Sequence, residues 1–250
     1  MKNLPLGIQE FKELRSNDYL YVDKTEKIHK LITTGKYYFL TRPRRFGKSL
    51  LLSTIKEIYK GNKSLFKDLW IEDKWDWTKK NPVIHIGFNS IGHKNLGLEQ
   101  ALHKIVEKIA NQYSIPLKET TNDLKFKELI EELFKKHGHV VILIDEYDKP
   151  IIDYLGKEQI HRAKENQEIL KTFYSSLKFL DGCIEFLLVT GVSKLSKTGI
   201  FSELNNLTDL TLKARYASLL GYTQEEVDHY FEPYKDFACQ QNDLTREELD

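Results

Sequence analysis

Apolar residues along this chain fall into continuous runs and helical stripes, and the two alternate. Lys36-Tyr37-Tyr38-Phe39-Leu40-Thr41, Pro82 to Phe88, Val140 to Ile144 and Cys183 to Thr190 are short runs without polar alternation. Such runs belong to strands buried on both faces of a parallel sheet. A short fifth strand is predicted near Leu207 to Leu212. Between the runs, apolar positions recur at three- and four-residue spacing. Ile28, Leu31 and Ile32 predict a helix over Thr25 to Thr33, with Asp23 or Thr25 as N-cap and Gly35 as its end. Leu51, Leu52, Ile55 and Ile58 predict one that runs to about Tyr59 and stops at Gly61-Asn62. Further stripes predict helices over Leu98 to Tyr113, Phe126 to Lys136 and Ile169 to Leu180, with a short helical piece at Ile151 and Ile152. Thr223 followed by Glu226 ahead of an apolar face has the form of a capping box.

The chemistry concentrates where the first run meets its helix, at Arg42-Pro43-Arg44-Arg45-Phe46-Gly47-Lys48-Ser49-Leu50. A strand, loop, helix frame is what a phosphate-binding loop needs, because the amides at a helix N-terminus are unpaired and the dipole favours an anion. Gly47 lets the backbone approach phosphate, Lys48 reaches the β and γ oxygens, and Ser49 offers a hydroxyl to Mg²⁺. The standard pattern has a glycine where this chain has Arg42. Arg42, Arg44 and Arg45 add positive charge around the loop, while Pro43 fixes φ and removes a donor. A bare Gly-Lys-Ser also fits a helix start with an exposed lysine, so the rest of the chain has to decide.

About a hundred residues on, Val140-Val141-Ile142-Leu143-Ile144 ends in Asp145-Glu146. The carboxyl ends of such strands border the crevice where open α/β sheets bind ligands. There Asp145 can hold Mg²⁺, directly or through water, and Glu146 can polarise a water for in-line attack on a γ-phosphate. By itself, Asp-Glu after a strand is as readily a turn or a cap. Joined to Lys48 and Ser49 in this order, it favours nucleoside-triphosphate hydrolysis. Asp148, in Tyr147-Asp148-Lys149-Pro150, has two readings, support for the metal site and helix capping.

The expected fold is a three-layer α/β/α P-loop NTPase with a parallel five-stranded sheet in the order 5-1-4-3-2. In that order the run ending at Thr190 lies between the loop strand and the acidic strand, so Thr190 or Ser193 could bond the attacking water or the γ-phosphate. Residues 1–35 are expected to pack on a core of residues 36–215, and 216–250 to begin a helical lid that breaks off partway. Tyr21, Asp23 and Thr25 can either touch nucleotide or serve in capping and packing.

Charged residues make up 30% of the 250, but the formal net charge is only +1, so no bulk field points to nucleic acid or membrane. Nucleic-acid binding through a local patch and assembly into oligomers stay compatible with the sequence. Trp70, Trp75 and Trp77 could stack on bases, although Glu72, Asp73 and Asp76 beside them would repel phosphates. Two distant cysteines, Cys183 and Cys239, fit neither a disulfide framework nor a metal pair, and the histidines lack ligand spacing. With no signal-peptide core and no apolar run long enough to span a bilayer, a cytoplasmic location is expected.

With these residues in view, the chain resembles the bacterial AAA-ATPase-like family, a branch of P-loop ATPases near the STAND and archaeal ATPase groups. The resemblance rests on Leu4-Pro5-Leu6-Gly7-Ile8, Tyr21 to Thr25, Phe39 to Ser49, Leu143 to Pro150, Thr190-Gly191-Val192-Ser193-Lys194 and Leu220-Gly221-Tyr222-Thr223. A missing first glycine is that family's habit. The resemblance implies ATP or ADP as ligand, Mg²⁺ as the ion, and in many relatives a following domain similar to PD-(D/E)XK nucleases, which would lie past Asp250. Many such ATPases also use an arginine finger, for which Arg162 and Arg215 are candidates, a surface salt bridge being the simpler role for each. Two other readings stand beside hydrolysis. One is a nucleotide-gated binding module with little turnover, and the other an interaction domain with a relic nucleotide site.

Overall fold

The acid-ended run lies inside the sheet, one strand in from the β2 edge. β3 (Val140–Asp145) is buried along its whole length and lies between β2 (Val83–Gly87) and β4 (Ile184–Gly191). β1 (Tyr37–Thr41) pairs with the far side of β4, and β5 (Thr208–Asp209) closes the edge. Every pair is parallel, and the order 2-3-4-1-5 is 5-1-4-3-2 counted from the other edge. This computed structural model describes residues 1–193, 197–201, 204, 206–242 and 245. Lys194, the last residue of the Thr190 motif, lies outside them.

The helices are α1 (Phe11–Ser16), α2 (Thr25–Thr34), α3 (Lys48–Tyr59), α4 (His93–Leu96), α5 (Leu98–Gln112), α6 (Asn122–His137), α7 (Lys149–Ile152), α8 (Ile160–Ser175), α9 (Lys197–Ile200) and α10 (Gln224–Asn242). Side chains alternate across a strand with period two, and a helical layer covers each face. Phe39, Ile142, Ile144 and Val189 meet α5, α6 and α8 on one side, while Leu40, Val141, Leu143 and Leu188 meet α1, α2 and α3 on the other. Burial on both faces is why the strands read as continuous apolar runs.

Three elements differ from expectation. α8 begins at Ile160 rather than Ile169 because its first turns bury Ala163 and Asn166, neither of which marks an apolar stripe. It also ends at Ser175, and the chain continues in a single 3-10 turn over Ser176–Phe179. α6 starts at Asn122, four polar-rich positions ahead of its stripe. β5 has two residues rather than six, because side chains take over its pairing: the Thr41 amide donates to Thr211 Oγ1 at 3.2 Å and the Thr211 amide to Asp209 Oδ1 at 2.9 Å.

The tryptophan stretch packs on the core through single 3-10 turns. Trp77 lies 4.9 Å from Phe66 between ring centroids and Trp75 5.6 Å from Tyr59. Asp23 holds this stretch in place, accepting from the Trp70 amide at 2.7 Å with one oxygen and from the Thr25 amide at 2.7 Å with the other. The Thr25 hydroxyl accepts from the Ile71 amide at 3.2 Å, and Tyr21 packs edge-on to Phe11. In this structure, then, Tyr21, Asp23 and Thr25 serve packing and loop bonding, and the N-cap of α2 is Lys24, without a side-chain capping bond, rather than Asp23 or Thr25. No helix among the described residues is long and apolar enough to cross a membrane.

Candidate functional site

The loop between β1 and α3 turns through two left-handed residues. Arg45 (φ 66°) and Gly47 (φ 86°) both adopt left-handed conformations, which Gly47 takes without penalty and Arg45 does not. Among the described residues, no amide from Arg44 through Leu50 donates to another protein group. Unpaired amides gathered at the start of a twelve-residue helix make a concavity for an anion. Arg44, Arg45 and Phe46 are exposed around it.

Lys48 is buried, and its ammonium donates to the carbonyls of Arg42 and Pro43, each at 2.9 Å, spanning the loop from inside. Burial pulls its pKa below the ordinary lysine value, and the charges of Asp145, Glu146 and Asp148 oppose that pull. The lysine and the acidic end of β3 therefore share one electrostatic neighbourhood. Ser49 joins them directly, its hydroxyl donating to Asp145 Oδ2 at 2.5 Å.

β4 supplies the other side of Asp145. Thr190 is fully buried and its hydroxyl donates to Asp145 Oδ1 at 2.7 Å. Glu146 follows in a left-handed conformation (φ 53°), with its carboxyl pushed up from the ordinary value by burial and by the charge of Asp145. Arg44 lies near enough that its charge opposes that rise. A glutamate pushed up in this way is suited to accept a proton.

The structure thus brings Lys48, Ser49, Asp145, Glu146 and Thr190 together, although the hydroxyl of Thr190 is taken up by Asp145. Ser193 is engaged by the turn after β3; its hydroxyl donates to Asp148 Oδ2 at 3.0 Å. Arg42 turns away from the loop. Its guanidinium donates to the carbonyls of Thr41 at 3.1 Å and Thr211 at 2.5 Å, while its amide extends the β1 to β4 ladder to Gly191 at 3.2 Å. The residue in place of the usual glycine therefore ties β1 to the chain beyond β5. Pro43 is exposed and contributes a carbonyl to Lys48. Leu50 is half-buried against the α3 side of the core. Arg162 lies over the Tyr154 ring, and Arg215 over Tyr216 with a bond to Thr34 at 3.1 Å, at the amino end of β1. Tyr147 and Gly191 shape the site as well, although nothing in their spacing marks a role for them. Tyr147 is fully buried, donates its hydroxyl to the Ser193 carbonyl at 2.9 Å, and lies so close to Gly191 that a Cβ there would be 2.4 Å from its ring.

The donor set suits Mg²⁺ with a nucleotide. Mg²⁺ takes only one or two protein oxygens and completes its shell with phosphate and water. Ser49 Oγ and Asp145 Oδ2, already adjoining, are hard oxygens of that kind. No group of three or more histidine, cysteine, aspartate or glutamate side chains able to hold a metal occurs among the described residues, so an ion here would depend on the phosphates.

An uncharacterised protein in the vnfD 5′ region of Azotobacter chroococcum mcd 1 is 42% identical over 235 residues, covering 93% of this chain and 45% of that protein. The chain therefore spans about half the length of that relative. No solved structure matches significantly. The family described as Predicted AAA-ATPase matches residues 5–201, a span that contains the loop, the acidic strand end and Thr190. On that match, and with the five-stranded parallel sheet that carries the site, the chain belongs to the Predicted AAA-ATPase family.

Proposed function

We propose that the chain binds ATP with Mg²⁺ at the junction of the β1 loop, β3 and β4, and hydrolyses it to drive or switch an attached or partner domain. The observation that carries this reading is the meeting of Ser49 and Asp145 at 2.5 Å, with Lys48 and Glu146 in the same electrostatic neighbourhood. The unpaired amides of residues 44–50 would bind the phosphate chain. Lys48 has three ammonium donors and uses two on Arg42 and Pro43, which leaves one for a phosphate oxygen. Ser49 and Asp145 would hold Mg²⁺, which when bound would neutralise phosphate charge. Glu146 accepts the proton of the attacking water. Its raised pKa lets it do so without being so acidic that transfer loses its driving force.

Phosphate release by the wild type and by Glu146→Gln tests this. The variant should lose about 10²-fold or more of turnover, the scale of a positioned base, and keep its ATP affinity. Lys48→Ala should lose affinity itself. Equal turnover in wild type and Glu146→Gln refutes the glutamate's role. The exposed arginines Arg44 and Arg45 support one other reading, a nucleotide-gated switch that binds tightly and turns over little. ATP binding by the wild type without phosphate release would favour it.

A further inference from the structure

One carboxylate stitches the exit of β4 to the turn after β3. Asp148 is 1% exposed, and its Oδ2 accepts three bonds, from the amides of Val192 at 2.9 Å and Ser193 at 2.7 Å and from the Ser193 hydroxyl at 3.0 Å. Asp148 stands at the N-cap position of α7 but makes no capping bond with its side chain, so capping does not explain it. Its other oxygen, Oδ1, is buried without a hydrogen-bond partner. A carboxylate placed in this way costs free energy unless the bonds on the other side repay it.

The turn held by those bonds is the one that presents Glu146. On one side of Glu146, Asp145 receives the Thr190 hydroxyl; on the other, the Tyr147 amide donates to the Thr190 carbonyl at 3.0 Å and the Tyr147 hydroxyl to the Ser193 carbonyl. A left-handed glutamate is strained and persists only where its surroundings over-determine it. Gly191 lets the two segments come this close, since a Cβ there would also be 2.9 Å from Asp148 Oδ1.

We propose that Asp148 is a positioning residue for hydrolysis, fixing the β4 exit against the β3 turn so that Glu146 keeps its orientation toward the phosphate site. The inference rests on the hydrolysis reading above. It places no phosphate or metal contact on Asp148.

The test uses Asp148→Ala and Asp148→Asn in the full chain. Misplacing a reacting group by about 1 Å costs on the order of 10² in rate. In Asp148→Ala, kcat should fall at least tenfold, about 1.4 kcal/mol, with KM for ATP changed less than threefold. Amide hydrogen exchange at Val192 and Ser193 should accelerate in the nucleotide-free protein. Asparagine can aim its oxygen at the same three donors and put its amide where Oδ1 has no partner, so Asp148→Asn should rescue part of both readouts. Should the alanine variant fail to fold, the asparagine variant carries the comparison. Normal kcat despite faster exchange overturns the proposal, and so does reduced kcat with exchange unchanged. Wild-type ATP binding without turnover removes the hydrolysis reading and this proposal together, whereas normal turnover in Asp148→Ala removes this proposal alone.

Discussion

The close approach of β4 to the turn after β3 can be measured with a single methyl group. In Gly191→Ala the new Cβ would lie 2.4 Å from Tyr147 Cε1, 2.6 Å from Cδ1 and 2.9 Å from Asp148 Oδ1. Unstrained carbon atoms sit at about 3.5–4.0 Å, so the ring has to retreat by roughly 1 Å. It has little room. Tyr147 is fully buried, with Phe39 and Phe201 each 5.3 Å away between ring centroids, and its hydroxyl is bonded to Ser193. Inserting a methyl into such packing costs about 1–3 kcal/mol. For a chain of this size each kcal/mol lowers Tm by about 2–4 °C, so scanning calorimetry should show a fall of roughly 2–12 °C. Replacing glycine also stabilises by about 0.4–1 kcal/mol through the unfolded chain, and that gain has to be subtracted. Gly156→Ala and Gly182→Ala supply it, since an added Cβ meets nothing within 4 Å at either site and neither has positive φ. A Gly191→Ala protein that melts within 1 °C of these controls would refute the packing argument. Relief of the loss by Tyr147→Leu, measured as a double-mutant cycle, would locate the clash in the ring.

Two further outcomes follow from charge. Arg42→Ala removes charge-assisted bonds to the Thr41 and Thr211 carbonyls and should cost about 1–3 kcal/mol in urea unfolding. Arg44→Ala, at an exposed site, should cost under about 0.5 kcal/mol yet weaken nucleotide binding at low salt; equal stabilities in the two variants would contradict the tether assigned to Arg42. Burial favours a neutral Glu226, but the Lys24 ammonium and the Thr223 amide outweigh it and hold its pKa below the ordinary glutamate value. Its contribution is therefore complete above that ordinary value and lost as pH falls through the lower folded-state pKa. The stability penalty of Glu226→Gln should be present at pH 7 and shrink in acid, and a penalty independent of pH would sink the assignment.

Much of this fold was legible because its strands are buried on both faces, which leaves runs such as Val140 to Ile144 with no polar interruption. The capping box was legible for a similar reason. Thr223 and Glu226 each satisfy the other's amide, at 3.2 and 2.9 Å, an arrangement that needs only their spacing. The start of α8 was not legible, because a helix that buries Ala163 and Asn166 carries no apolar stripe there. At the site, the meeting of Ser49 with Asp145 could be inferred from the order of motifs along an α/β chain. The tether of Arg42 to Thr211 and the clasp of Asp148 on Ser193 could not. The first joins segments that are close only after β1 has paired with β5, the second only after β3 has paired with β4, and neither residue type announces such a partner.

α10 buries no residue of its own. Polar contacts tie it to the amino-terminal segment: the Lys24 to Glu226 ion pair, the Asp23 amide donating to the Tyr230 hydroxyl at 3.3 Å, and the Tyr234 hydroxyl donating to the Lys2 carbonyl. Its apolar residues, Val227, Tyr230, Phe231 and Tyr234 among them, are only half-buried, so detaching it exposes little apolar interior and can cost far less than global unfolding. This helix would then lift while the rest of the fold stays intact, and because the Lys24 to Glu226 pair is largely enclosed, added salt would loosen it only slightly.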